Sequence, residues 1–470
     1  MDIKMLQDVL FLFLWVTFPV VWHYMLKAAG LSLLRLSIPS FTIAAFYVYQ
    51  YIGLPLLYLR LYEYPAVAGM DHEWLMWQVA FYTALTITMM LVSFVIARHH
   101  FGRLTWTMSY PFRPHNFASG VQRQTFGLVV LVTVCTAVLL LYFSQIGFRR
   151  IAFFVSLGFG DEILVAAARD AMGSAFKGRF HYYSLFIHSF LTFATLALFA
   201  QHLVRPAFTS RVVFLMAFVV AAIALMSETL KNPFGNLLIA LFVVYALVKR
   251  SGRVPIRDLI RLLILVAAIM SLLFFQFMGS ANLLTGLRST ISRVFTGQLA
   301  PAYYYLEYFQ NHHEFLLGRS FPNPGGIFPF EHYPLSEEIM KWAMPETEVL
   351  GLEAASMPAP YWAEMYANFG FLGVLISSIF VGYGLYWLNA IVFRLQMTPL
   401  SIALMSWLLI HLKALAETFL STYMFDIYIV GVLLVFGALS FFVGHGVIRF
   451  RSRKAGSPKA DLSKGNLMLR

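Results

Sequence analysis

Apolar runs of about twenty residues recur along this chain, near 6–27, 37–58, 74–97, 125–146, 183–203, 211–228, 259–278, 367–391, 399–418 and 427–448. Each is long enough to cross roughly 30 Å of hydrocarbon. A shorter run at 236–248 adds an eleventh. Inside a bilayer every backbone N–H and C=O must find its partner within the protein, so runs of this length fold as helices. They predict an all-α polytopic membrane protein of about eleven transmembrane helices. Residues 1–448 form one bundle in this reading, with large external segments at 147–182 and 279–362 and a basic tail at 449–470. The first run follows the acidic Asp2 and is expected to stay as a span rather than act as a cleaved signal.

Composition agrees: 60% of residues are hydrophobic and only 12% charged. The net charge of +12 would point to nucleic acid in a soluble protein. Here it follows the positive-inside bias, so no nucleic acid is expected and the bilayer itself is the first partner. Lys27, Arg35, Arg98, Arg123, Arg205, Lys249, Arg250, Arg253, Arg261 and Arg394 fall in connections that alternate onto one side, together with the tail. That side is expected to be cytoplasmic, which leaves the N-terminus and both long segments outside. The single cysteine, Cys135, sits in an apolar run and offers neither a disulfide nor a thiolate metal site.

The segment 279–362 is polar and punctuated by Pro and Gly, and in a chain so poor in charge it is the expected active surface. The segment 147–182 is basic on the side where the bias disfavours basic residues, which suggests charge kept for an anion. The outside cations are Arg149, Arg150, Arg169, Lys177, Arg179, Lys231, Arg288, Arg293, Arg319 and Lys413. Guanidinium forks grip phosphate oxygens bidentately and would stabilise a departing diphosphate; helix-end cations also simply reach for lipid headgroups. Arg169 and Arg288, each in a different external segment, are the preferred pair.

His312 and His313, with Glu314 beside them, can supply a base near neutral pH, although solvated loop residues have the same appearance. The spacing of a helical His-Glu zinc motif is absent, and no metal or other cofactor is expected. Glu364 and Asn368 share a helix face one turn apart, with Tyr366 between them, where the chain re-enters the membrane; Gly370 and Gly373 there would permit close helix approach. Tyr304 and its aromatic neighbours could stack on sugar rings or line the membrane interface. Asp71, His72 and Glu73 form a weaker candidate cation site.

Gly318-Arg-Ser-Phe-Pro322 and the re-entry Glu364-x-Tyr-x-Asn-Phe-Gly-x-x-Gly373, in a bundle with a basic mid-chain loop and a long late loop, resemble the Wzy-type O-antigen and enterobacterial common antigen polymerases. The resemblance implies a metal-independent GT-C-class glycosyltransferase of the bacterial inner membrane, working on the periplasmic face. Its substrate would be an undecaprenyl-diphosphate-linked oligosaccharide, whose growing glycan passes to a new repeat unit. Chain-length regulator and flippase proteins would be its partners. The resemblance assigns Arg169, Arg319, Glu364, Tyr366 and Asn368 to the site. Arg149 to Gly160 fits the Arg-x10-Gly pattern of some members, whereas Arg288, Arg293 and Arg319 do not; positions 231 and 413 hold lysine where relatives would carry arginine. An O-antigen ligase shares this layout, and a lipid or polysaccharide transporter is the alternative from another class.

Overall fold

The computed structural model describes residues 3–60, 70, 72–102, 120–147, 150–157, 165, 168, 171–172, 180–227, 231–277, 283–345, 356–395 and 397–443. Among them ten helices are long and apolar enough to cross a membrane, and the only β feature is an isolated bridge between Arg35 and Arg253. The chain is an all-α polytopic membrane protein. Its helices are α1 Ile3–Ala28, α2 Ile38–Phe46, α3 Leu54–Tyr58, α4 Glu73–Phe101, α5 Gly120–Ile146, α6 Ala152–Leu157, α7 Phe180–Ser184, α8 Leu191–Val204, α9 Phe208–Met226, α10 Lys231–Arg250, α11 Ile256–Phe277, α12 Leu283–Phe295, α13 Ala300–Asn311, α14 Leu335–Ala343, α15 Tyr361–Val392, α16 Pro399–Lys413 and α17 Ile427–Val443. The short run at 236–248 proves to be the core of a full-length helix, α10. The run at 259–278 falls on α11, Ile256–Phe277, which is not one of the ten, so the described residues show one span fewer than the eleven expected.

Two expected spans are not uniform α-helices. The run at 37–58 divides into α2, a π-helical turn Tyr47–Tyr51 and α3, with Gly53 and Pro55 at the last junction, and still forms one span. A second π-helical turn, Leu185–Phe190, joins α7 to α8. Each inserts one extra residue per turn and redirects the side chains that follow, a feature frequent at functional sites.

The two ends of the bundle are tied by different contacts. At one end Leu36 N donates to Gly252 O at 2.8 Å and Val254 N to Leu34 O at 2.9 Å, while Tyr386 Oη reaches Gly102 O. At the other, His72 N donates to Tyr303 Oη at 3.1 Å, Gln310 Nε2 to Gln78 Oε1 at 2.5 Å, and Ser421 N to Glu364 Oε2 at 3.1 Å. Connections therefore alternate between the ends as the spans require, and the described part of 279–362 lies at the second end. Within the bundle α15 packs along α4, where Gly382 lets the backbones close: a Cβ there would sit 2.9 Å from Met90 Cα and O. The central helix is α16, against α2, α8 and α10, with nearly every residue buried. Its start is fixed by Pro399 at the first turn and a Thr398–Ser401 capping box.

The segment 279–362 departs from the expectation of a polar surface. Its described residues fold into α12, α13 and α14, and Tyr303, Tyr305, Leu306 and Phe309 of α13 are core residues. Tyr305 donates to Met357 O at 2.8 Å, and burial pushes its phenol well above the ordinary value, the nearby Glu364 carboxylate being the lesser cause. The segment is a folded cap whose apolar side joins the core of the bundle, α13 packing on α15 and α4.

Candidate functional site

A cavity of about 680 Å³ opens between α8, α10, α16 and α17, at the end of the bundle that carries the cap. Its walls include His188 and Asn236 on one side and Trp407, His411, Tyr423 and Asp426 on the other. His188 stands on the π-helical turn Leu185–Phe190.

The 407–428 wall is built from local sequence. Trp407 and His411 are one turn apart on α16, and their rings stack with centroids 4.5 Å apart and planes 13° apart. After α16 the chain makes two short 3₁₀ turns and enters α17 at Asp426. There Asp426 Oδ1 accepts from the backbone N–H of Tyr428 at 2.8 Å and of Ile429 at 3.0 Å, the geometry of a helix N-cap. Its other oxygen, Oδ2, lies 2.5 Å from His411 Nε2. One carboxylate thus starts a helix and orients an imidazole. With Nε2–H committed to Asp426, Nδ1 is the nitrogen left to take a proton. Tyr423 closes the arrangement, its hydroxyl donating to His411 O at 2.9 Å and its ring lying edge-on to the imidazole at 5.5 Å. Among the described residues no arginine or lysine lines this cavity.

Lys413 follows two residues later and is turned away from the cavity. Its Nζ meets Glu417 Oε1 at 2.5 Å, with side-chain exposures of 4% and 10%, and stands 4.9 Å from the centroid of the Tyr49 ring on the other π-helical turn. Asn232 Nδ2 donates to Glu417 Oε2 at 3.4 Å. The expected phosphate ligand is therefore neutralised within the protein.

Glu364, Asn368 and Tyr366 are all buried. Glu364 Oε2 accepts from Ser421 N at 3.1 Å and Oε1 from Ser320 Oγ at 3.3 Å. Asn368 donates to Ser320 Oγ at 2.7 Å and accepts from Gly318 N at 2.9 Å. The Tyr366 ring packs between Tyr82 at 5.0 Å and Phe315 at 5.7 Å. Glu364 thus stands outside the cavity wall and holds the turn Ser421–Tyr423, which supplies part of that wall. Below it α15 kinks at Gly370, whose φ of 62° and ψ of −147° suit only glycine, and a Cβ there would sit 3.1 Å from the Phe315 ring. Gly373 serves the same kink, facing Met365 O of its own helix, rather than a neighbouring helix.

His312 and His313 end α13 on the cap. His312 is exposed, with its ring 5.0 Å from Trp342; His313 is half-buried, stacked 5.5 Å from Tyr308 and 5.4 Å from Tyr333, with Nδ1 at 2.5 Å from Glu314 O. Tyr304 is buried edge-on to Tyr303 and Trp342, unavailable as a sugar platform in this conformation. Arg150, Arg288, Arg293 and Arg319 are exposed at this end. Arg319 Nε donates to Leu316 O at 3.2 Å. Arg149, Arg169, Lys177, Arg179, Asp71 and the tail 449–470 lie outside the described residues, and of Lys231 only the backbone is described. Among the described residues no three His, Cys, Asp or Glu side chains gather as a metal site. The sequence reading missed His411: a lone histidine near the end of an apolar run looks structural, and its partner lies fifteen positions away. The available signals were Trp407 one turn before it and an acidic residue opening the last span.

No protein-family model, curated protein or solved structure matches this chain.

Proposed function

We propose that this chain is a membrane glycosyltransferase that polymerises lipid-linked oligosaccharide repeat units, moving a growing glycan from a polyprenyl diphosphate onto the terminal sugar of a new unit. The observation that carries this reading is the His411–Asp426 pair in the wall of a cavity of about 680 Å³. Thr418, Thr422, Ser189 and Asn236 add hydroxyl and amide groups to that wall, and Trp407 adds an aromatic face. Such a lining suits a sugar, with hydrogen bonds at its edge and apolar contact on its face.

In this scheme the cavity receives the acceptor. His411 Nδ1 takes the proton of the acceptor hydroxyl while its oxygen attacks the anomeric carbon of the donor. The bond from that carbon to the diphosphate oxygen breaks, and the electron pair leaves with the diphosphate. Asp426 stabilises the imidazolium so formed. The departing anion is met by arginines of the cap and of the 147–182 segment, with Arg169, Arg288 and Arg319 as the first candidates. The working face would be periplasmic and the membrane the bacterial inner membrane. Purified protein in liposomes, supplied with a defined lipid-linked repeat unit, tests this: glycans of two or more units support it, and absence of new glycosidic bonds opposes it.

A second reading, transport, is favoured by the ionisable groups set within the bundle, namely His188, His411, Asp426 and the Lys413–Glu417 pair. It predicts that the same liposomes move the lipid-linked unit between leaflets without lengthening its glycan.

A further inference from the structure

We infer that the cap carries a membrane wedge: two of its turns, one presenting Leu317 and the other Ile327, dip into the lipid leaflet at that end of the bundle. This inference does not depend on the transferase reading. Leu317 and Ile327 are 75% and 74% exposed, far more than apolar residues of a folded, hydrogen-bonded segment need be. Leu317 stands in a turn closed by Arg319 N donating to Leu316 O at 3.1 Å, and Ile327 in the turn 323–330. Asn323 pins it by donating from Nδ2 to Phe328 O at 3.1 Å and Phe330 O at 2.6 Å while its Oδ1 accepts from Phe328 N at 2.9 Å. Phe328 and Phe330 stack within it, 5.4 Å apart and nearly parallel. Leu317 is held outward at a φ of 52°, a conformation leucine adopts at a cost.

The occupant follows from where this surface leads. Leu317 N bonds Asn368 O at 3.0 Å, and Phe321 lies 6.1 Å from Phe369. Phe369 is exposed, and the exposed face continues along α15 through Phe371, Leu372 and Ile376 to Phe380, the side chains a spanning helix turns toward lipid. Phe81 of α4 stacks on Phe371 at 6.4 Å and extends the same face. Arg319, Glu331 and His332 are exposed around the tip and supply a polar rim. An apolar tip with a polar rim, continuous with a lipid-facing helix, is the arrangement of an interfacial anchor.

The lone cysteine is buried, so Cys135→Ala leaves a clean background for site-directed spin labels. Leu317→Cys and Ile327→Cys are labelled in the full-length protein in nanodiscs, and relaxation by oxygen is compared with relaxation by a water-soluble nickel complex. Phe380→Cys reports lipid and Glu331→Cys reports water. The inference predicts that oxygen dominates at 317 and 327, as at 380, and that nickel dominates at 331. Nickel dominance at both tip sites would overturn it, as would exclusion of both reagents there, which means cover by a protein. Phe328→Cys gives an independent reading should a label at 327 disturb the turn.

Discussion

Asp426 joins the end of one spanning helix to the start of the next: Oδ2 lies 2.5 Å from His411 Nε2 while Oδ1 caps α17 through Tyr428 and Ile429. Cap and dyad share one carboxylate, so the imidazole is fixed by the same contacts that start the helix. Only the dyad half is lost in Asp426→Asn with its amide nitrogen toward Nε2, because the remaining oxygen still caps.

Glu364 separates positioning from proton transfer. Glu364→Ala leaves Ser421 N–H and Ser320 Oγ without their partner in a buried site, a loss of about 1–3 kcal/mol visible in thermal unfolding in detergent. Glu364→Gln can turn its amide oxygen to Ser421 N and its NH₂ to Ser320 Oγ, and is expected to stay folded and active. A folded, inactive Glu364→Gln protein would instead make Glu364 the base.

The Lys413–Glu417 pair is predicted to be costly to break and cheap to remove together. Lys413→Met leaves a buried, uncompensated carboxylate and should destabilise by roughly 3–5 kcal/mol. Lys413→Met with Glu417→Leu should recover most of that. Equal losses in the single and double variants, compared by unfolding midpoints, would mean that the ion pair itself contributes the stability.

Gly370→Ala must either strain the backbone at a φ of 62° or straighten α15, and pushes against the Phe315 ring. The expected loss is about 1–3 kcal/mol, with activity falling as the cap shifts. An unchanged melting temperature would show that the kink is not required.

Alkaline pH should loosen the cap. Burial raises the Tyr333 phenol, helped by its hydrogen bond with Tyr308 at 3.2 Å, and burial also raises Tyr305. A folded value above the unfolded one means that the neutral phenol is favoured by folding. Its contribution is whole below about pH 10 and is lost as pH rises beyond that. Tyr333→Phe should therefore flatten the fall in stability between about pH 10 and 11; the same fall in both proteins would assign it to other groups.

The spans were legible because length and apolar composition suffice to set a helix in a bilayer, and even the short run at 236–248 marks a true helix, α10. The π-helical turn in the second span was not legible, since its geometry comes from packing: Gln50 Nε2 reaches Gln298 O at 3.0 Å and Ala416 O at 2.6 Å. The cap was read as a polar surface because Tyr303, Tyr304 and Tyr305 look alike whether they face sugar, headgroups or a core, and only the packing of α13 decides. Lys413 reads as a free cation until Glu417, one turn on, is seen to share its burial. The His411–Asp426 pair spans two 3₁₀ turns whose course no local pattern dictates.

The most direct measurement is the length of glycan made by purified His411→Ala and Asp426→Asn proteins from a defined lipid-linked repeat unit, each first shown to be folded. The account predicts that the rate of glycosidic bond formation falls by about 10²–10⁴ in His411→Ala, with a smaller but clear loss in Asp426→Asn. Wild-type rates in both variants would contradict it.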